Sequence, residues 1–241
     1  MKLLDLFCGA GGCAEGYRRA GFTEIVGIDI KPQPRYPFEF IQADCLRPPL
    51  DLSYFDLIHA SPPCQAFSTL KIMPFAKQHP DLLTPTRELL LRSGKPFVIE
   101  NVVGAPMTIA PPGLFTSLSG VELCGSMFNL RNETHELRRH RHFESNIALP
   151  QPRHDHKLPV IGFYGDHART RQRTVAGHRD RGGDIVGKEI KLQLVRELMG
   201  IDWMEWHESN QAIPPAYTEW IGRQIIERGE QNAAQQTTVE D

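Results

Sequence analysis

The sequence predicts an α/β fold built on a doubly wound, mostly parallel sheet, and three observations carry that prediction. A short apolar run, Leu3–Phe7, meets the turn Cys8-Gly9-Ala10-Gly11-Gly12 and then a helical stretch, Ala14–Ala20, closed by Gly21. A second buried strand follows at Glu24–Ile30 with an acid near its end, completing the strand, glycine turn, helix and strand that open a doubly wound fold. Further apolar runs alternate with helical periodicity at a spacing that favours parallel pairing.

Phe38–Ala43 and Phe55–Ala60 continue the strand series. Leu82–Arg92 has a helical pattern with Pro85 in its first turn, where a missing N–H is tolerated. Gly94 turns the chain into Pro96–Glu100, another buried strand. Beyond about residue 145, Pro150, Pro152, Pro159 and six glycines from Gly162 to Gly187 interrupt regular structure, and Val160–Tyr164 is the strand expected there. Helical periodicity resumes at Glu189, and Pro215–Arg228 reads as a last helix. The expected organisation is a main domain at 1–144, a small loop-rich lobe at 145–188, helices returning to the main domain at 189–229, and a polar, frayed tail at 230–241.

Composition narrows the class. The chain has 241 residues, enough for one good core with a small lobe added. No apolar run reaches membrane-spanning length, and Met1–Asp5 enters a strand pattern without the apolar core of a signal peptide. Five cysteines without framework spacing point to reduced thiols and a cytoplasmic setting. No CxxC pair is present and the histidine spacings fit no standard ligand set, so no metal is expected. The net charge of −2 hides an asymmetry: Pro150–Lys188 holds eight Lys/Arg against four Asp, a stretch that fits a polyanion contact. A solvated surface loop would give the same pattern.

Four constellations can carry chemistry. Glycines between β-strand and helix let backbone approach a ligand closely, and Asp29 stands where an acid accepts from ribose hydroxyls. This signal alone also satisfies a relaxed dinucleotide pattern and leaves a nicotinamide cofactor open. Ser61-Pro62-Pro63-Cys64-Gln65 directly follows a strand, so the thiol faces the crevice outside the carboxyl ends of the sheet. The two prolines stiffen the turn that holds it. Glu100-Asn101 ends the next apolar strand, where desolvation raises a carboxyl pKa and suits proton sharing. In Arg138-Arg139-His140-Arg141-His142-Phe143, an extended backbone puts Arg139 and Arg141 on one face, and guanidinia grip carbonyl or phosphate oxygens well.

DLFCGAGG, PPCQ, ENV and RHRHF, in this order and at these distances, resemble the motifs of the C5-cytosine-specific DNA methyltransferase family. Asp44, Leu198–Asp202 and Ala212–Pro215 resemble that family's adenine-edge acid, late helix end and last motif. The resemblance implies the class I S-adenosylmethionine-dependent methyltransferase fold and a DNA (cytosine-5-)-methyltransferase activity. S-adenosyl-L-methionine would be held by Phe7, Gly9, Gly11, Asp29, Ile30, Asp44 and Cys45 and leave as S-adenosyl-L-homocysteine. Double-stranded DNA is the implied partner, with a cytosine flipped out of the stack. Cys64 would add to C6, Glu100 would donate to N3, and Arg141 with Arg139 would hold O2, while Pro62, Pro63, Gln65, Ser68 and Asn101 complete the base pocket. Family members are usually longer, so the short Ser145–Glu189 region implies few base-edge contacts, hence a short or degenerate target or help from a specificity partner; the resemblance also allows a companion restriction nuclease. Leu137 stands where the family usually has Gln, and Ser209-Asn210-Gln211 departs from its last motif. An RNA (tRNA) substrate and a catalytically silent DNA-binding relative are the rival readings.

Overall fold

The computed structural model describes residues 1–64, 67, 80–108, 118–164, 167–171 and 183–237. Its centre is a seven-stranded sheet formed by β1 (Lys2–Leu6), β2 (Glu24–Asp29), β3 (Glu39–Gln42), β4 (Leu57–Ala60), β5 (Phe97–Val102), β6 (Ser119–Leu123) and β8 (Arg141–Ser145), in the order β3-β2-β1-β4-β5-β8-β6. The first five are parallel, and β8 runs antiparallel to both β5 and β6. The doubly wound, mostly parallel sheet expected from the sequence is therefore present. Chain order runs outward from β1 in one direction through β2 and β3, then reverses through β4 and β5. The crevice between β1 and β4 is thus the topological switch point, where ligands of open α/β sheets bind.

Strand alternation sorts side chains onto two covered faces. Leu3, Leu57, Val98 and Phe143 face α1 (Gly12–Ala20) and α5 (Pro215–Thr237), packing with Tyr17, Tyr217 and Ile221. Leu4, Ile58, Phe97 and Ile99 face the other side, where α2 (Leu83–Ser93) contributes Leu83 and Leu90. An Arg87–Glu144 pair with two short contacts, 2.6 and 3.2 Å, braces α2 against β8. Helices α1 and α5 touch closely at Gly16, where any side chain would overlap the Pro215 carbonyl.

A second, three-stranded sheet has the order β10-β9-β7, from β7 (Glu136–Leu137), β9 (Val160–Tyr164) and β10 (His167–Arg171). It draws on residues both sides of the 144/145 boundary. Its core of Leu137, Ile161, Phe163 and Ala168 is closed by Val195, Leu198 and Met199 of α3 (Lys188–Met199) and by Trp206 of the short α4 (Trp206–Ser209). Helix α3 therefore packs on the small sheet, whereas α5 returns to the large one. Only β9 was expected in this lobe. The β10 run His167–Arg171 lacks an apolar alternation, and β7 is two residues long. The last helix also continues to Thr237, past its expected end at Arg228, because Glu, Gln and Ala at 230–237 are good helix formers.

Candidate active site

The glycine turn leaves β1 at the switch point under visible strain. Phe7 has φ 58° and Gly9 φ 49°. A bulky residue in the left-handed region is costly and clusters at ligand sites. The Phe7 amide donates to the buried Cys45 thiol at 3.2 Å, and that thiol donates to the Ile28 carbonyl at 3.3 Å. Burial pushes the Cys45 pKa up to about 12, so the thiol stays a neutral bracket between β1, β2 and the turn after β3. Asp29 at the end of β2 accepts from the Gly9 and Lys31 amides at 3.2 and 3.0 Å. A carboxylate has about four lone-pair sites, so two remain for a ligand diol. Asp44 is exposed, and one of its oxygens caps the Leu46 amide at 2.9 Å.

Two observations fit this edge to a nucleoside. The space where Gly9 would carry a Cβ is open to 4 Å. Ile30, between the two acids in the sequence, is 66% exposed, an apolar surface suited to a ring face. The far wall is the C-terminal segment. Trp203 Nε1 donates to the Ala10 carbonyl at 2.8 Å, and at Gly12 any side chain would overlap the Ile213 carbonyl. The Ala212–Pro215 segment thus closes over the start of α1.

Across the switch point, β4 ends in the turn Ser61-Pro62-Pro63-Cys64. Asn101, 1% exposed, donates its Nδ2 to the Pro62 carbonyl at 3.0 Å. This bond fixes the prolyl turn against β5. Cys64 is partly exposed. Its pKa is raised, first by burial and then by the Glu100 charge, against the lowering pull of Arg141 and Arg139. Glu100 is 6% exposed, and its pKa is raised by burial against Arg141, Arg139 and a hydrogen bond from Ser61. Arg141 Nε lies 3.1 Å from Glu100 Oε1. The Arg141–Glu100 contact and the Asn101–Pro62 bond bring the guanidinium, the carboxyl and the turn that carries the thiol together near the carboxyl ends of β4 and β5.

The alternation expected in the arginine run holds at its histidines. His140 Nδ1 and His142 Nε2 both reach Glu122, at 3.0 and 2.9 Å, whereas Arg141 turns to Glu100. The two arginines nevertheless differ. Arg139 is 1% exposed and gives its terminal nitrogens to the carbonyls of Phe163 and Asn210, at 3.3 and 2.7 Å. It ties the small sheet and the C-terminal segment together behind the site.

Sequence reasoning missed a buried polar chain. Tyr17 donates or accepts at His59 Nδ1, 3.1 Å away, and His59 Nε2 meets Ser61 Oγ at 3.0 Å. Burial lowers the His59 pKa to about 3, so its ring is neutral. The signal was available as a lone histidine inside the apolar strand FDLIHA. Gln65, Ser68 and most of the segment after Cys64 lie outside the described residues.

Residues 1–106 match the model of the family described as C-5 cytosine-specific DNA methylase. A curated relative, the Type II methyltransferase M.AgeI of Thalassovita gelatinovora, is 32% identical over 121 residues, or 43% of this chain. The chain spans 28% of that protein's length. Among solved structures, a prophage-encoded E. coli protein described as a DNA modification methyltransferase aligns with TM-score 0.56 at 14% identity, covering 94% of this chain and 99% of that one. The S. pombe Dnmt2 methyltransferase aligns with TM-score 0.51 at 13% identity, covering 95% and 98%. At these identities the two structures speak for the fold alone, and the sheet described above has the class I methyltransferase-type fold. The glycine turn, the prolyl-cysteine turn and the strand bearing Glu100 all lie inside the matched segment, so the similarity to the C-5 cytosine-specific DNA methylases rests on residues 1–106 of this chain.

Proposed function

We propose that the protein transfers a methyl group to C5 of a cytosine flipped out of double-stranded DNA. The observation that carries this reading is the Glu100–Arg141 pair at the switch-point edge with the Cys64 turn pinned against the same strand by Asn101, beside the open glycine turn. Phe7, Gly9, Gly11, Asp29, Ile30, Asp44 and Cys45 fit S-adenosyl-L-methionine. That cofactor, when bound, supplies an electrophilic methyl group and leaves as S-adenosyl-L-homocysteine.

The Cys64 thiolate adds to C6 of the extruded base, forming an S–C6 bond. Glu100 gives its proton to N3, so the electron pair pushed out of the 5,6 double bond gathers at C5 without a full negative charge on the ring. Arg141 holds O2 and keeps Glu100 oriented. Once C5 carries the methyl group, water or hydroxide removes its proton, the S–C6 bond breaks, and N3 returns its proton to Glu100. Protonated Glu100 no longer raises the Cys64 pKa, so the acid that serves N3 also favours the thiolate. Asn101 and Pro62 position the thiol turn, and Arg139 is a positioning residue that frames the pocket.

The lobe at 145–188 would face the duplex, with its basic residues on phosphates. The Type II relative adds the expectation of a companion restriction nuclease. Among the described residues no helix is long and apolar enough to cross a membrane. Transfer of labelled methyl to duplex DNA, run beside structured RNA, tests the reading. Product in DNA, mapped to cytosine C5 by bisulfite resistance, is the expected result. Product in RNA alone would replace the substrate, and tight DNA binding without product would replace the activity.

A further inference from the structure

Seven of the ten histidines fall between 135 and 178, and none belongs to the site above. Three of them converge on a buried thiol. Cys124 follows β6, His140 precedes β8, and His154 and His156 sit on the irregular segment that leads into the small sheet. One donor atom from each lies within 4.8 Å of every other. Cys124 Sγ is 3.7 Å from His156 Nε2, which is 3.1 Å from His154 Nε2. Ligands on a tetrahedral zinc stand about 3.3 Å apart for nitrogen pairs and about 3.6 Å apart for sulfur and nitrogen, given Zn–N near 2.05 Å and Zn–S near 2.3 Å. The cluster already has nearly those dimensions.

The outer ring argues the same way. His140 Nδ1 is held by Glu122 at 3.0 Å and His156 Nδ1 by Glu136, leaving each Nε2 aimed into the cluster. A carboxylate on the far nitrogen is the usual orienter of a metal-bound imidazole. His140 Nε2 is buried and has no hydrogen-bond partner in the structure, an orphan that a metal would satisfy.

We propose that Cys124, His140, His154 and His156 form a closed structural zinc site. One thiolate with three imidazoles suits a borderline-soft, tetrahedral ion, and the absence of carboxylate ligands from the set disfavours magnesium and calcium. Four protein ligands leave no open position, so the ion takes no part in chemistry on the base. Its work is mechanical. It staples the segment entering the small sheet to the strands of the large one, and it fixes His140 beside Arg141, whose guanidinium meets Glu100. The absence of a metal expected from the sequence rested on missing CxxC spacing, yet the fold collects the ligands from three separate places, leaving His-Asp-His as the single local trace.

The test is metal analysis of untagged protein purified without chelator, with cobalt(II) reconstitution of the same chain. Close to one zinc per chain is expected, and cobalt should give tetrahedral ligand-field bands with a thiolate charge-transfer band. Cys124→Ser should lose the charge-transfer band, and His156→Ala should lose bound zinc to background. Glu136→Gln should weaken zinc about 10–100-fold in chelator competition. A zinc-free wild-type chain that gives only octahedral cobalt spectra, or zinc retained by both ligand variants, would overturn the proposal. Another metal at full occupancy would overturn the zinc assignment.

Discussion

The two sheets of this molecule solve different problems. The large one holds its chemistry on contiguous motifs at strand ends, where register alone brings β1, β4 and β5 side by side. The small one has three short strands and a modest core. Its coherence depends on contacts between distant residues, such as Arg139 with Phe163 and the Cys124–histidine cluster. Side chains at the edge of a covered parallel sheet are held precisely by that sheet, whereas a lobe of this size needs tethers.

Substitutions should separate the two regions. Cys64→Ala should lower methyl transfer by more than about 10³-fold while cofactor binding, measured by calorimetry, survives, because a nucleophile acts only in the reaction. Glu100→Gln should lower the rate about 10²–10³-fold and change its pH profile. Both pKa values are raised, and the reactive form pairs a deprotonated Cys64 with a protonated Glu100. The wild-type kcat/KM should therefore climb until Glu100 ionises, stay flat, and fall above the thiol pKa. The glutamine variant should keep climbing to the thiol pKa and then level off, since its amide has no proton to lose. An unchanged profile would remove Glu100 from the proton path.

Asn101→Ala leaves the Pro62 carbonyl without its donor, so a loss of about 1–3 kcal/mol in stability is expected by denaturant unfolding. Activity should fall with it as the thiol turn loosens. In the lobe the effects should be smaller and of another kind. Arg169→Ala breaks an exposed pair with Asp184, 3.0 Å apart. It should change stability by less than about 1 kcal/mol, while the salt dependence of DNA binding becomes shallower if that side chain meets phosphate. A large stability loss there would contradict the contrast between the two sheets.

The same contrast explains what could be read in advance. Leu3–Phe7, Glu24–Ile30 and Pro96–Glu100 are mostly apolar because both faces of their sheet are covered, and their functional candidates stand at or near the strand ends: Gly9 just past β1, Asp29 closing β2 and Glu100 two residues before the end of β5. Local pattern and site position coincide there. The closing contacts are different. Nothing in the neighbourhood of Trp203 marks it as a donor to Ala10, and Asn101 shows its purpose only once Pro62 lies beside it. β7 and β10 escaped because a two-residue strand has no period, and in His167–Arg171 the buried Ala168 stands among polar residues. His59 was visible as a polar break in an apolar strand, but its partner Tyr17 sits on α1, 42 residues away.

The central claim is that the Cys64 thiol and the Glu100 carboxyl act on one extruded pyrimidine. A duplex carrying 5-fluorocytosine tests it directly, because fluorine at C5 cannot leave as the proton does and the S–C6 bond stays closed after methyl transfer. With cofactor present, wild-type protein should give a denaturant-stable complex whose single DNA-bearing peptide contains Cys64, and Cys64→Ala should give none. A trapped complex on a different residue, or one that forms equally well in the alanine variant, would contradict the account.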